Sequence, residues 1–385
     1  MDGSRSSVET ALLRWKQFAI ILAAIYLPLV TSPAQPGTVD SNPQVYWGGY
    51  LDGENYGQSD APWGTRTIEL FEDHAGKGVS ILHWGQFWHW SGQSGYAGIA
   101  DGHFQPFETA MYERVRQHGA IPMIDWNSWS GDAGGSADQP DYQLQRIIQG
   151  DYDTYIHRWA RDARSWGKPF FLRFDHEMNG EWFPWSERAN GNQTGEYVQM
   201  WRHVHDIFEK EGTSNVTWVW SANIVYDKTS GDLAALYPGD DYVDWVAIDG
   251  YNQGTHPNST DEWKTFSEVF GETYEILGET APDKPVMLSE FSSTEYGGSK
   301  ADWISDALSE QIPDHFPRIK AVVWFNWNCD GWDWVIESST SAQEAFASGI
   351  GSSYYAANDY ADLPAGKVQP LISVKPGEAG ASASP

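Results

Sequence analysis

A closed (β/α)8 barrel is the fold class this sequence predicts, on three observations. Eight short apolar runs alternate with amphipathic helical patterns over roughly 320 residues, the rhythm of repeated βα units. The runs end in polar and aromatic clusters, as barrel strands do where they reach the open face. The competing α/β architecture, a doubly wound open sheet, lacks its signature, because no Gly-rich phosphate loop follows the first strand.

The candidate strands are Val45–Tyr50, Val79–Leu82, Ile121–Asp125, Phe170–Phe174, Val216–Trp220, Val243–Ile248, Val286–Leu288 and Ala321–Phe325. Between them lie helical patterns at Thr65–Ala75, Phe104–His118, Tyr152–Trp166, Gly195–Glu211, Ser267–Leu277 and Lys300–Gln311, with a last one at Ser341–Tyr355. The fifth connection has room only for a short helix around Leu233–Leu236. Several boundaries carry their own signal. Gly119 and Gly167 follow His118 and Trp166 as helix-stopping glycines. Tyr152, Tyr155, Ile156, Trp159 and Ala163 fall on one helical face.

The ends of the chain read differently from its body. Arg5, Arg14 and Lys16 precede a mostly apolar run from Phe18 to Val30, followed by small residues at Ser32 and Ala34. That run is shorter than the roughly 20 residues a bilayer span needs. It is the pattern of a secretory signal over residues 1–34, cleaved after Ala34, with an uncleaved membrane anchor as the alternative. Either way the body of the protein is expected outside the cytoplasm, as a secreted monomer. Residues 35–43 read as a polar spacer, 44–365 as a single catalytic domain, and 366–385, turning to Gly, Ala, Ser and Pro, as a disordered tail.

Composition narrows the partners. Against 24 Lys plus Arg stand 53 Asp plus Glu, a formal charge of −29, which repels phosphate backbones and argues against nucleic acid. A lone cysteine, Cys329, rules out an intrachain disulfide. Many of the 22 Trp, 19 Tyr and 16 Phe are expected in the core, and their clustering at strand ends beside polar residues points to some lining a groove.

The chemistry concentrates in Phe170–Trp185, FFLRFDHEMNGEWFPW. An apolar strand runs into Asp175, His176 and Glu177, with Trp182, Phe183 and Trp185 close behind. A second strand, PVMLSEF, also ends in a glutamate, Glu290. Either acid alone reads as a solvated loop residue. Together, at the ends of the fourth and seventh strands, they would face one another across a barrel mouth, and paired carboxylates among flat aromatic faces are what glycoside hydrolysis requires. Other reactions fit less well. His203 and His205 are two apart on a helix and point to different faces, no HExxH is present, and Cys329 has no evident histidine partner. A non-catalytic glycan-binding barrel would keep the aromatics, but its usual mark is the loss of one carboxylate.

With HEMNG, EWFPW, DGYN and SEF in that order, the chain resembles glycoside hydrolase family 26 over roughly Val45–Tyr355. The resemblance implies a (β/α)8 barrel, a retaining mechanism and no metal or other cofactor. It makes Glu177 the general acid/base and Glu290 the nucleophile. It further implies that Tyr251 hydrogen-bonds the nucleophile, that His176 holds a sugar hydroxyl or orients the carboxylates, and that Trp182 stacks on the leaving-group sugar. Trp324 would be the platform on the last strand, and His83, Trp84 and Trp327 would contact substrate. Among the family's substrates β-1,4-mannan comes first, with mixed-linkage β-glucan and β-1,3-xylan as alternatives. Phe325 stands where well-known mannanases of the family carry Arg, a departure that touches the choice of sugar rather than the chemistry.

Overall fold

A computed structural model describes residues 43–329 and 331–371. The expected leader and the spacer up to residue 42 lie outside them, as do residues 372–385. Eight parallel strands close into a ring in chain order: β1 (Tyr46–Leu51), β2 (Ile81–His89), β3 (Ile121–Ser130), β4 (Phe170–Phe174), β5 (Val216–Asn223), β6 (Trp245–Asn252), β7 (Val286–Ser293) and β8 (Ile319–Asn326). The pairing of β8 with β1, from Tyr46↔Ala321 to Leu51↔Asn326, closes it. Around the ring run α1 (Thr65–Ala75), α2 (Thr109–Gln117), α3 (Leu144–Ile148), α4 (Asp153–Trp166), α5 (Glu196–Glu211), α6 (Leu233–Leu236), α7 (Phe266–Thr280), α8 (Lys300–Asp306, continuing as a π-helix over Ala307–His315) and α9 (Thr340–Ile350).

Local chemistry sets these elements. The helix α7 starts at a capping box in which Thr265 and Glu268 satisfy each other's backbone N–H groups. Gly76, Gly167 and Gly212 end α1, α4 and α5 in the left-handed conformation that a glycine adopts without cost. The α4 face foreseen from its periodicity is buried through Tyr155, Ile156, Trp159, Ala160 and Ala163.

The strands sort their residues by parity. Inside the ring, Tyr46, Ile81, Ile121, Met123, Phe171, Val219, Trp245, Ala247, Met287, Ala321 and Val323 form one apolar cluster. Their neighbours, among them Trp47, Ile124, Phe170, Leu172, Trp218, Trp220, Val246, Ile248, Leu288 and Trp324, pack outward under the helices in a second and larger cluster. Alternation along a strand is the cause, because successive side chains leave opposite faces. One step toward the open end, the inward positions become polar: His83, Asp125, Arg173, Ser221, Asp249 and Ser289 are all buried.

Two expectations need correction. Most strands are longer than their apolar runs suggested, since β2, β3, β5, β6 and β7 continue through the polar residues at the mouth. Residues 366–371, expected as the start of a disordered tail, plug the closed end of the barrel. Val368 is buried there; its N–H donates to Thr217 Oγ1 at 2.7 Å and its carbonyl accepts from Trp245 Nε1 at 3.1 Å. Tyr46 donates to the Gln369 carbonyl at 3.0 Å.

Candidate active site

The open end of the barrel holds a cleft of about 1470 Å³, and both Glu177 and Glu290 line it. Each reaches it through a local irregularity. The chain leaves β4 with Asp175 and Glu177 at φ of 42° and 54°, a conformation that costs a non-glycine residue energy and is held here by surrounding bonds. Glu177 N–H donates to the Ser221 carbonyl at 2.8 Å, and the buried Asp175 carboxylate accepts from Ser128 N–H and Oγ at 2.8 and 2.6 Å. Glu290 sits at a β-bulge. Leu288 pairs with Val322 but Phe291 pairs with Trp324, so β7 carries one extra residue. That residue lets Ser289 point inward and Glu290 still reach the mouth.

Glu290 is bound on both oxygens. Oε1 accepts from Arg173 Nη1 at 2.8 Å, and Oε2 accepts a short bond from the Tyr251 hydroxyl. Arg173 is wholly buried and serves three acids: Nη1 also donates to Asp125 Oδ1 at 2.8 Å, and Nη2 donates to Asp249 Oδ2. Asp249 accepts further from Ser289 Oγ at 2.7 Å and Ser221 Oγ at 3.1 Å. Burial opposes the guanidinium's charge, yet these three carboxylates keep it protonated. One cation cannot offset three anions, and the acids divide accordingly. Burial would raise Asp125, but the charge of Arg173, with a hydrogen bond from His83, holds it well below the usual carboxylate range. Asp249 is pushed up to about 7 by burial and by the charge of Glu290, against the pull of Arg173.

Glu177 stands apart from the guanidinium's direct bonds. Its Oε1 accepts from Asn223 Nδ2 at 2.6 Å and its Oε2 from Trp182 Nε1 at 2.7 Å. Burial first, then the negative charges of Asp249 and Glu290, raise it to about 8. At neutral pH the site therefore pairs a protonated Glu177 with a Glu290 that accepts two hydrogen bonds. That is the division of labour an acid and a nucleophile need.

The remaining candidates fall into two groups. His176, Trp182, Tyr251 and Trp327 line the cleft. Trp327 stacks on Tyr50 at 5.7 Å and 9°, forming an aromatic wall with Phe325. His176 packs against Phe183 at 4.9 Å, and burial followed by the charge of Arg173 keeps it neutral, well below its ordinary value. Trp84 gives the cleft only an edge, being 4% exposed and packed on Tyr112.

His83 and Trp324 do not fit the roles expected of them. His83 is fully buried beneath the cleft, where Nε2 bonds Asp125 Oδ1 at 2.7 Å, so it supports the polar layer rather than touching substrate. Trp324 is fully buried on the outward face of β8, against Phe291 and Phe346, with Nε1 donating to the Trp334 carbonyl at 2.9 Å. The aromatic that this strand presents to the cleft is the next residue, Phe325, whose parity is that of Ala321 and Val323. The sequence reading also passed over Arg173, Asn223 and Asp249 as site residues. An arginine inside the apolar run FFLRF was the available signal, because a buried strand carries such a charge only when it is paired.

Asp125, His176 and Glu290 bring potential ligand atoms within 4.8 Å of one another. The Arg173 guanidinium already bonds two of the three, so a cation there would meet a charge in place.

Comparison with known proteins agrees with this geometry. Residues 110–296, which include both glutamates, match the family described as Glycosyl hydrolase family 26. Endoglucanase H of Acetivibrio thermocellus is 36% identical over 289 residues, 74% of this chain and 29% of that protein. Mannan endo-1,4-beta-mannosidase A and B of Caldalkalibacillus mannanilyticus is 29% identical over 162 residues, 41% of this chain and 27% of that protein. The chain thus spans less than a third of either relative. In three dimensions it resembles the catalytic domain of a Bacillus sp. JAMB-750 GH26 endo-beta-1,4-mannanase, with a TM-score of 0.60 at 18% identity, covering 84% of this chain and 91% of that one; this likeness speaks for the fold. With a closed eight-stranded barrel and two glutamates at the ends of its fourth and seventh strands, this chain belongs to glycosyl hydrolase family 26.

Proposed function

We propose that the protein is a retaining β-glycan hydrolase acting on a β-1,4-linked or mixed-linkage glucan, with Glu177 as acid/base and Glu290 as nucleophile. The observation that carries this reading is the placement of both carboxyls in one cleft, each in a different bonding environment. Glu177 is raised to about 8 and so holds a proton, while Glu290 accepts from Arg173 and Tyr251. Glu290 attacks the anomeric carbon as Glu177 protonates the departing glycosidic oxygen, giving a covalent glycosyl-enzyme. As that bond forms, the negative charge on Glu290 is spent, which lowers the repulsion that raised Glu177. Glu177 is then able to ionise and deprotonate the water that releases the sugar.

Glucan is favoured because the relative matched over 74% of the chain bears the name endoglucanase. Mannan is the second reading, supported by the mannosidases matched over shorter stretches. Export of the enzyme, on the strength of residues 1–34, is part of the same proposal.

Reducing-sugar release from barley β-glucan, mannan and β-1,3-xylan tests the substrate. Faster turnover of mannan than of glucan would put mannan first. The anomeric configuration of the first product, followed by NMR, tests retention; an inverted product would remove Glu290 from the nucleophile's role.

A further inference from the structure

Among the described residues three large aromatic side chains stand open to solvent: Trp63 at 41%, Tyr226 at 38% and Tyr296 at 42%. A single exposed ring is ordinary on any protein surface, and Tyr296, off the cleft, needs no further account. Trp63 and Tyr226 differ because both line the cleft that holds the two glutamates. They also lie at its opposite ends. Trp63 belongs to the connection after β1 and Tyr226 to the connection after β5. In a ring of eight strands these two are diametrically opposed.

The acid gives the axis a direction. Glu177 is held by Trp182, beyond β4, and by Asn223, at the end of β5. The group it protonates is the leaving oxygen, so the leaving half of the substrate extends over the β4 and β5 loops, toward Tyr226. The other half, the glycone, extends toward β1 and Trp63. The cleft's 1470 Å³ exceeds the roughly 300–1,000 Å³ that encloses a small ligand, which leaves room for a run of sugar rings.

The loop that presents Trp63 is fixed. Arg114 on α2 donates to the Pro62 and Trp63 carbonyls at 2.9 and 3.2 Å. Gly53 N–H donates to Asp60 Oδ1 at 2.8 Å, and Gly64 N–H to the Asp60 carbonyl at 2.7 Å. Asp60 and Glu108 join Trp63 in lining that end of the cleft. A partly exposed indole beside carboxylates, on an immobilised backbone, supplies the two things a sugar ring asks for: a flat face for its C–H surface and acceptors for its hydroxyls.

We propose that Trp63 is a specificity-determining residue that binds a glycone sugar unit remote from the scissile bond, so that the enzyme selects for chain length on that side. The inference rests on the glycan-hydrolase reading above and adds to it the placement of one distant binding position. It is tested with aryl β-gluco-oligosaccharides whose glycone lengthens one unit at a time while the aryl leaving group stays fixed. For the wild type, kcat/KM is expected to rise at the length that first reaches Trp63. In Trp63→Ala that one step should shrink roughly tenfold relative to the shorter members, and Trp63→Phe should restore most of it. A loss of the same factor at every length, or an unaltered step, overturns the inference.

Calorimetry in a Glu290→Ala background separates it from the functional reading. There the longest free oligosaccharide should bind roughly tenfold more weakly once Trp63 is also Ala. If the wild type hydrolyses no β-glycan, the functional reading falls. The titration still decides Trp63, and equal affinity with and without the indole refutes its role.

Discussion

Three carboxylates share one guanidinium at the mouth of the barrel, and most of the site's behaviour follows from that imbalance. Asp125 and Glu290 divide one nitrogen of Arg173 between them, Asp249 takes the other, and Glu177 is left without a cation of its own. Removing the proposed nucleophile is the plainest test. Glu290→Ala should lower kcat by at least about 10⁴-fold with the fold intact, measured by reducing-sugar release and circular dichroism. Tyr251→Phe removes one of the two donors on Glu290, and a loss of roughly 10²-fold is expected. The acid role proposed for Glu177 carries its own pH dependence. In that role its working form is protonated, so kcat/KM should hold up to about pH 8 and fall above it, as Glu177 loses its proton. Asn223 donates to Glu177 and so favours the ionised form; Asn223→Ala should move that alkaline limb upward, by roughly one pH unit. A limb that stays in place would assign it to another group. Both glutamates could be read from the sequence because each ends an apolar run. Arg173 could have been, as the one charge inside such a run. Asn223 could not, since nothing in VTWVWSAN marks its last residue as the acid's partner until β4 and β5 are laid side by side.

At the scale of the element, the governing fact is parity. The apolar runs located the strands well, and Phe170–Phe174, Thr65–Ala75 and Leu233–Leu236 stand where the sequence put them. What the runs alone did not assign was which of two neighbouring aromatics faces the cleft. Trp324 and Phe325 differ by one position, and alternation sends the first under α9 and the second to the cleft. Counting from Ala321 and Val323 as inward residues would have made the distinction. At β7 such counting fails, because the bulge at Ser289–Glu290 inserts a residue that only the pairing with β6 and β8 reveals. The tail was misread for a related reason. Residues 366–385 were read together by their Gly, Ala, Ser and Pro content, but Val368 finds an apolar cluster to cover and two partners to satisfy its backbone. Ending the chain after Ala365 should therefore cost about 2–4 kcal/mol, from one buried apolar side chain and several hydrogen bonds. The expected outcome is a lowered Tm with kcat unchanged, because the plug lies at the end of the barrel away from the cleft.

For the whole molecule, the buried titratable groups and the net charge act in the same direction. Glu177 and Asp175 are raised to about 8, and Asp249 and Asp52 to about 7, in each case chiefly by burial. In the unfolded chain all four titrate near 4. Between about pH 4 and pH 7–8 the folded state consequently binds more protons than the unfolded one, and stability falls as the pH rises through that window. His176 and His205 act the other way: burial holds both below their ordinary value, so the unfolded chain takes up protons first as the pH drops through about 6.5. Two histidines offset only part of what four acids contribute, so stability falls from pH 6 to pH 8 and changes less steeply below about pH 6.5. The formal charge of −29 adds self-repulsion that grows as further acids ionise and that salt screens. Thermal unfolding followed across pH should thus show Tm several degrees lower at pH 8 than at pH 6, with added sodium chloride recovering part of the loss at pH 8. A Tm that climbs steadily from pH 6 to pH 8 would mean that these acids are ionised in the folded protein. The proton assigned to Glu177 at neutral pH, on which the catalytic reading depends, would then be missing.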